Sequence, residues 1–598
     1  MTILTGETVR SSALSTAVGS GGVRPRYRSL MDPRAIDVVL ETLDENRIRW
    51  ARLPLSTKIF LLDDLRRRVG VVSDEWVDSA VGAKGIASDS PIAGEEWTSG
   101  PYAVASAAGA LAETLRRLDA GVSVLTGIAI HPVADDQVAV RVFPTSKDDR
   151  LLLSGHTADV WMQPGRSAED VRQNAARFYH QTDPAGAVAA VLGAGNLSSI
   201  PALDLLTEMY THGSVVALKL SPVNDYLAEI FEEVFAEFIQ GGFVRLVRGG
   251  TAEGVYLTRH PLVDRVHVTG SARTHDAIVF GTGPDGAARK TADDPVTDIT
   301  VTAELGGVGP TVVVPGDWSK ADLRYQAEHI ISQKLHNHGF NCVACQVLVL
   351  PDSWGQADAL LDEMRAVAHE VEERFAYFPG AEARQRTAVA AHPHAEILTD
   401  GVAPVTFITN LDPSRTDDVC FTTEFFGAVL GVVRIPGDDV PVFLENAVSF
   451  VNETLDGNLG ANLIIHPATE AAHVGALERA IRSLRYGTIA VNSWVGVAYA
   501  LTRATWGAFP GNTRRDIRSG NGIVHNALML EGVERTVVRG PFAPFPRTIR
   551  QRVWHTEPLP PHFVTNQNAA RIGEQLTAFA VTQSWKPIPG LLAAALRA

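Results

Sequence analysis

The chain has 598 residues, 45% hydrophobic and 20% charged, with a formal net charge of −15, the usage of a soluble globular protein with material for about two to four packed units. Its charge is spread without a basic run or aromatic-basic stripe, which argues against nucleic acid or anionic membrane as partners. No apolar stretch reaches the roughly 20 residues of a membrane span and the N-terminus lacks a signal-peptide core, so a cytoplasmic location is expected. The three cysteines, Cys342, Cys345 and Cys420, rule out a disulfide framework and point to a reducing compartment.

In chain order, residues 1 to 30, rich in Ser, Thr, Gly and Arg, predict a mobile arm. Val138 to Val142 and Leu151 to Met162 predict an antiparallel excursion. Four apolar runs follow, Ala187 to Leu192, Ser214 to Leu220, Phe243 to Val247 and Val263 to Val268, separated by helix-like or turn-rich segments. Near-continuous Val/Leu runs of this kind predict a mostly parallel sheet in a dinucleotide-type α/β domain. After the first run, Ser198 or Ser199 is placed to cap a helix with Pro201 in its first turn.

The glycine motifs differ in weight. Gly193-Ala-Gly195-Asn-Leu-Ser198 nearly matches the dinucleotide fingerprint, yet the next strand ends in Lys219 where that fingerprint expects an acid. Gly281-Thr-Gly283-Pro-Asp-Gly286 matches literally but follows a helix-like segment and reads as a loop. Thr269-Gly270-Ser271 is the better phosphate-binding turn, since it follows a strand and opens the helix-like Ala272 to Phe280.

Downstream, Glu304-Leu-Gly-Gly307 and Asn337-His-Gly-Phe-Asn-Cys342-Val-Ala-Cys345 present a carboxylate and a thiol from separate elements, a base and a nucleophile. Other readings of the thiols stay open. His336, His338, Cys342 and Cys345 lie close enough in sequence to hold zinc. Cys342-x-x-Cys345 has the spacing of a redox pair, although Gln346 to Leu350 reads as a buried strand where a redox helix belongs. Both cysteines would also serve as small apolar core residues.

Taken in order, Gly-x-Gly-Asn196, strand-ending Lys219, Thr269-Gly-Ser271, Glu304-Leu-Gly-Gly307, Asn337-x-Gly-x-x-Cys342 and Glu424-Phe-Phe426-Gly427 resemble the aldehyde dehydrogenase superfamily over roughly residues 135 to 540. The resemblance implies a Rossmann-type cofactor domain, an α/β catalytic domain and a small β oligomerisation flap. It implies Cys342 as nucleophile, Glu304 as general base, and Asn196 with the Cys342 backbone N–H as oxyanion hole. Lys219, Gly270, Ser271, Glu424 and Phe426 would bind NAD or NADP, with no metal.

The implied division is an arm and helical part over 1–136, the β excursion over 137–164, the NAD(P)-binding domain over 165–300, the catalytic domain over 301–522, and an oligomerisation strand with C-terminal extension over 523–598. Glu534 to Val538 would join a partner's sheet in a homodimer or homotetramer. The extension would wrap a partner or cover a channel.

Several positions depart from the family pattern. Ala194-Gly-Asn-Leu-Ser198 replaces Pro-Trp-Asn-Phe-Pro, Phe340 replaces a Gln, and Val308 replaces a Lys. A loop is inserted around Gly281 to Asp298, and Ile523-Val524 replaces an Arg-Glu pair whose carboxylate often helps to relay protons. Pro222 stands where a ribose-binding Glu often lies, so NADP is expected to be tolerated beside NAD.

The expected activity is oxidation of an aldehyde to a carboxylic acid through a cysteine thiohemiacetal and thioester. Phe340, Trp494 and Trp506, with Phe509, would line an apolar channel for an aliphatic or aromatic aldehyde. The alternatives are a CoA-acylating dehydrogenase, against which Glu304 argues, and a zinc-holding or catalytically silent scaffold.

Overall fold

A computed structural model describes residues 31–547 and 558–597, and the predicted N-terminal arm lies outside them. The described chain opens with the helix Pro33–Ala51. Asp32 caps it by accepting from the Ala35 N–H at 2.9 Å, and Pro33 suits its first turn. The long helix Leu55–Lys84 stops at Gly85, whose φ of 66° is left-handed. Among the described residues no helix is long and apolar enough to cross a membrane.

Strands β1 (Ile130–Ala134), β2 (Gln137–Phe143) and β3 (Thr157–Met162) pair antiparallel. Then β4 (Ala187–Leu192), β5 (Ser214–Lys219), β6 (Val244–Val247), β7 (Arg265–Gly270) and β8 (Thr300–Leu305) form a parallel sheet in the order β6-β5-β4-β7-β8. The apolar runs predict four of these five strands, β4 to β7, within about two residues at each boundary, because strands covered on both faces carry Val, Ala and Leu at nearly every position, whereas β8, with its threonines and Glu304, is not among them. The order reverses at β4, so the turns leaving β4 and β7 lie side by side at the carboxyl ends of the strands. That crevice is where open α/β sheets bind their ligands.

The second sheet holds β9 (Gly309–Val313), β10 (Cys345–Pro351), β11 (Glu396–Ile397), β12 (Thr406–Leu411), β13 (Val429–Ile435), β14 (Gly460–Ile464) and β15 (Thr488–Val491). After the two-stranded pair β16 (Trp506–Gly507) and β17 (Ile523–Val524), β18 (Val533–Arg539) completes it. Its eleven strands run β1-β2-β3-β18-β15-β14-β9-β10-β13-β12-β11.

This order corrects one expectation. β18, predicted to be donated to a partner's sheet, pairs parallel with β15 and antiparallel with β3 of its own chain. Both of its edges are therefore satisfied internally.

Three further expectations change. The segment after Gly281 is not a loop, since Gly283–Ala292 is helical with a proline in its first turn. Ser199 stands at the N-cap of Ile200–Tyr210 but makes no capping bond, while Ser198 accepts from Trp76 Nε1 at 2.9 Å. The C-terminal extension, expected to wrap a partner or cover a channel, packs in its described part against its own chain. Its helix Ala569–Thr582 lies across Ala93–Trp97, so close that a Cβ on Gly94 would run into the Ala569 backbone. Farther back, Phe563 stacks on His329 at 5.4 Å and on Tyr325 at 5.2 Å.

Candidate active site

The helix Lys320–Leu335 ends in a turn in which Asn337, His338 and Gly339 have φ of 52°, 54° and 76°. Left-handed backbone at two non-glycine residues is strained and persists only where surroundings over-determine it. Here they do. The Asn337 N–H donates to Glu95 Oε2 at 2.8 Å, and Glu95 is held by Arg374 through two bonds of 2.7 and 2.8 Å. Lys84 donates to Asn337 Oδ1 at 3.1 Å and to Glu96 at 2.7 Å, and Tyr377 adds a bond of 3.0 Å to Asn337 Oδ1.

Both ion pairs are nearly sealed, with side-chain exposures of 6% and 7% for Glu95 and Arg374 and of 1% and 3% for Glu96 and Lys84. Burial alone would raise the Glu95 carboxyl, but the Arg374 and His336 charges bring it down to about 2. At Gly339 a Cβ would strike the Gly427 carbonyl, so only glycine fits.

This turn delivers Phe340, whose carbonyl accepts from Asn196 Nδ2 at 2.9 Å and Asn337 Nδ2 at 3.0 Å. The Asn196 carbonyl in turn accepts from Asn337 Nδ2 at 3.1 Å and Tyr377 OH at 2.9 Å. The turn after β4 and the turn before Cys342 are thus one hydrogen-bonded unit, and Asn196 keeps a second amide N–H for another acceptor. Cys342 is half-buried, whereas Cys345 starts β10 wholly buried. The Cys342 thiol is pushed far up by burial and by the facing carboxylates of Glu304 and Glu424, against a small opposing pull from its own backbone N–H. Cys345 is pushed up to about 11, chiefly by burial.

Glu304, next to last in β8, is 4% exposed, and its Oε1 accepts from Trp506 Nε1 at 2.9 Å. Burial raises it to about 8, Asp204 adding to the rise while the Trp506 bond and the His267 charge oppose it. Glu424 is raised to about 8 by burial and by Glu304, and it lies so close to the Glu304-Leu-Gly-Gly307 turn that a Cβ on Gly306 would clash with it. The Gly307 N–H supports it, yet Glu424 Oε1 is buried with no partner.

That orphaned oxygen suits a ribose hydroxyl. The rest of the crevice also fits a dinucleotide. Gly195 is packed so tightly against Ser221 that a Cβ would lie 2.6 Å from its Oγ. Gly270 is open, and Ser271 caps Ala272–Val279 by accepting from the Thr274 N–H at 3.3 Å. Lys219 Nζ donates to the Gly249 carbonyl at 2.9 Å and the Leu220 carbonyl at 3.1 Å. Burial lowers the Lys219 ammonium, but Glu253 and Asp225 favour its charge. Pro222 supplies no carboxylate beside Lys219, but Glu253 enters from the helix Thr251–Thr258, some thirty positions later.

Trp506 sits beside Glu304 with its ring edge-on to Tyr499 at 5.3 Å. Trp494 lies between His336 at 5.0 Å and His562 of the C-terminal segment at 5.5 Å. Phe340 is a correction, because it does not line the channel. Its ring is fully buried among Tyr377, Phe378 and Phe426 at 5.0, 5.6 and 5.9 Å. The left-handed turn points it under the loop that carries Cys342, and Phe426 shares that cluster.

The four residues proposed for zinc do not converge. Among the described residues the group close enough to share a metal is His392, Asp418 and Cys420, with ligand atoms within 4.8 Å of one another. Glu95, Arg374 and Lys84 carried no signal in the sequence, because their partners lie up to 279 positions away.

A family model described as the aldehyde dehydrogenase family matches residues 157–507. The N-succinylglutamate 5-semialdehyde dehydrogenase of Ectopseudomonas mendocina (strain ymp) is 26% identical over 284 residues, 44% of this chain and 54% of that protein. The protein of the same name from Sphingopyxis alaskensis is 28% identical over 214 residues, covering 36% and 37%. The chain thus spans about half or less of the length of these curated relatives.

Among solved structures, an NAD-dependent aldehyde dehydrogenase from Sinorhizobium meliloti superposes with a TM-score of 0.57 at 16% identity, over 86% of this chain and 89% of that one. An NADP-dependent glyceraldehyde-3-phosphate dehydrogenase from Bacillus halodurans C-125, complexed with NADP, gives 0.55 at 16%, over 85% and 92%. At such identities these two establish the fold alone. The family model spans more than half of the chain and covers Asn196, Glu304, Cys342 and Glu424, so the chain belongs to the aldehyde dehydrogenase family.

Proposed function

We propose that this chain is a hydrolytic, NAD(P)-dependent aldehyde dehydrogenase that turns an apolar aliphatic or aromatic aldehyde into its carboxylic acid. The observation that carries the reading is the convergence at one over-determined turn of a half-buried cysteine, a buried carboxylate raised to about 8 and a carboxamide with a spare N–H. Cys342 Sγ attacks the carbonyl carbon. Glu304, with its basicity matched to neutral or mildly alkaline pH, is the base for the later water step. Asn196 Nδ2 and the Cys342 N–H stabilise the oxyanion, each such donor contributing about 3 kcal/mol.

Glu424, Lys219, Gly270 and Ser271 would hold the dinucleotide, which supplies the hydride acceptor. With the acyl group on Cys342, Glu304 takes a proton from water as the water oxygen bonds to the carbonyl carbon. The C–S bond then breaks, its electron pair returning to sulfur. Tyr499 and Trp506 beside the base, with Trp494, support an apolar substrate.

A cytoplasmic location belongs to the same reading and is supported by three unpaired cysteines. So does association into a homodimer or homotetramer. With β18 engaged internally, β1 and β11 are the edges of the eleven-stranded sheet open to pairing between copies.

The test is Glu304→Gln under single-turnover conditions. It should give a first-turnover burst of reduced cofactor followed by a steady-state rate lower by about 10²-fold or more. Loss of the burst as well would assign Glu304 an earlier role. Strong acceleration of the native enzyme by CoA would favour the acylating alternative.

A further inference from the structure

The helix Ala381–Ala391 is pinned at both ends to the segment that leads to and past Glu424. Near its start Arg384 donates through Nε to the Phe425 carbonyl at 2.5 Å and through Nη2 to the Phe426 carbonyl at 3.1 Å. At its far end the C-cap residue His392 turns Nε2 to within 3.1 Å of Asp418 Oδ2. Between these pins Gln346 holds the segment, accepting from the Phe425 N–H at 2.7 Å and donating to the Cys420 and Thr423 carbonyls at 3.3 and 2.6 Å.

Asp418 in turn caps the short helix Val419–Thr422, its Oδ1 accepting from the Cys420 N–H at 2.9 Å. Its second oxygen, the His392 imidazole and the Cys420 thiol form the group whose ligand atoms lie within 4.8 Å of one another. The His392 and Asp418 side chains are 16% and 9% exposed, and Cys420 is fully buried. None of the three takes part in the reaction assigned to Cys342.

Both ring nitrogens of His392 face oxygen acceptors, Nδ1 the Ala388 carbonyl at 2.9 Å and Nε2 the Asp418 carboxylate at 3.1 Å. A neutral imidazole has one N–H, so in either tautomer one nitrogen lone pair would point at an acceptor. The arrangement therefore calls for a positive charge, either a second proton on the ring or a cation between Nε2 and Oδ2. A proton needs no third donor. The Cys420 thiol is nevertheless turned to the same carboxylate, which together with burial pushes it up while the metal is absent.

The donor set selects the ion. One imidazole nitrogen, one carboxylate oxygen and one thiolate sulfur suit zinc or cobalt, whereas magnesium and calcium take oxygen donors. With bonds of about 2.0–2.3 Å, the ligand atoms of a tetrahedral zinc site lie about 3.2–3.6 Å apart, so the His392–Asp418 separation already fits and the thiol has to close by about an ångström. An Nδ1–H held by the Ala388 carbonyl is the support that a ligating imidazole ordinarily has. A carboxylate and a thiolate also balance the two charges of the ion, which matters where little water reaches it.

We propose that His392 Nε2, Asp418 Oδ2 and Cys420 Sγ bind one zinc-type divalent ion, with water in the fourth position, clasping the helix Ala381–Ala391 to the segment that leads to Glu424. On binding, the ion replaces the Cys420 thiol proton, and the Nε2 proton where His392 carries one, and these protons pass to solvent.

The test uses the untagged full-length protein carrying Cys342→Ala and Cys345→Ala, which leaves Cys420 as the thiol of a chain with three cysteines. After dialysis against a chelator, cobalt(II) should bind at one equivalent with a thiolate-to-cobalt charge-transfer band and the visible bands of a tetrahedral site, and one equivalent of zinc should bleach them. Magnesium in excess should not. Adding Cys420→Ala or His392→Ala should remove the charge-transfer band or weaken zinc binding by about 100-fold or more. Absence of the band before either is added would overturn the site and leave a proton between His392 and Asp418. A band that survives His392→Ala would overturn it as well. If Cys420→Ala does not fold, the half-buried His392 decides alone.

Discussion

Trp506 and Glu304 stand 202 positions apart and meet in one hydrogen bond, the indole Nε1–H donating to Oε1 over 2.9 Å. A ring that the sequence places in the substrate channel is also the donor that restrains the basicity of the proposed base, because burial raises Glu304 and this bond pulls it down. Trp506→Phe keeps most of the apolar volume and removes the donor. Glu304 should then ionise at higher pH, lowering kcat by about tenfold at neutral pH with recovery on the alkaline side. A pH profile of kcat checks this, and a loss that persists at high pH would point to substrate packing instead.

Stability should carry the same signature. Glu304 ordinarily ionises near 4.5 and in the fold near 8, so its contribution is complete below pH 4.5 and is lost as pH rises through 8. Glu304→Gln removes that loss. Its Tm should fall less than the native Tm between pH 5 and pH 8, with an advantage of the order of 1–3 kcal/mol at the alkaline end. Thermal melts across that range test the sign.

The two cysteines of the nucleophile loop should separate cleanly. Cys342→Ala is expected to abolish aldehyde oxidation with little effect on Tm. Cys345→Ala should retain activity and cost about 1 kcal/mol, since it only opens a small void at the start of β10. The reverse outcome would mean that the nucleophile has been misassigned.

The sealed pair under the turn predicts a large structural effect. Arg374→Ala leaves Glu95 charged and unpaired, which should cost about 3–5 kcal/mol. Because Glu95 also holds the Asn337 N–H, the loop carrying Cys342 should loosen. Denaturant unfolding together with the rate of Cys342 alkylation measures both, and faster alkylation is expected.

Phe563 ties the C-terminal segment to the core by stacking on His329 and Tyr325, next to His562 over Trp494. Phe563→Ala should destabilise the protein by about 3 kcal/mol. If the segment roofs the channel, KM for a series of aldehydes from two to about ten carbons should change more at the long end than at the short end. N-succinylglutamate 5-semialdehyde is the polar comparator, and a native preference for it would overturn the apolar reading.

Much of the fold and of the site is legible in the amino-acid sequence. The parallel strands announce themselves as apolar runs, because a strand buried on both faces has no polar side to show. Cys342, Glu304, Asn196 and Glu424 are legible because each sits in a short motif whose glycines or amides serve local backbone geometry, as at Gly339. Side-chain direction is not. The place of Phe340 beside Cys342 suggests the channel, yet left-handed backbone at three consecutive residues turns its ring into the core.

The sequence alone therefore determined the elements, their alternation and the residue types of the site, since periodicity and turn chemistry act over a few positions. Only the tertiary structure decided that Glu253 offsets Lys219, that Glu95 and Arg374 brace the nucleophile turn, that His392 meets Asp418 and Cys420, and that β18 completes its own chain's sheet. Those outcomes depend on which charged or hydrogen-bonding groups are buried together, and burial of a pair separated by tens to hundreds of residues leaves no periodic trace in the chain.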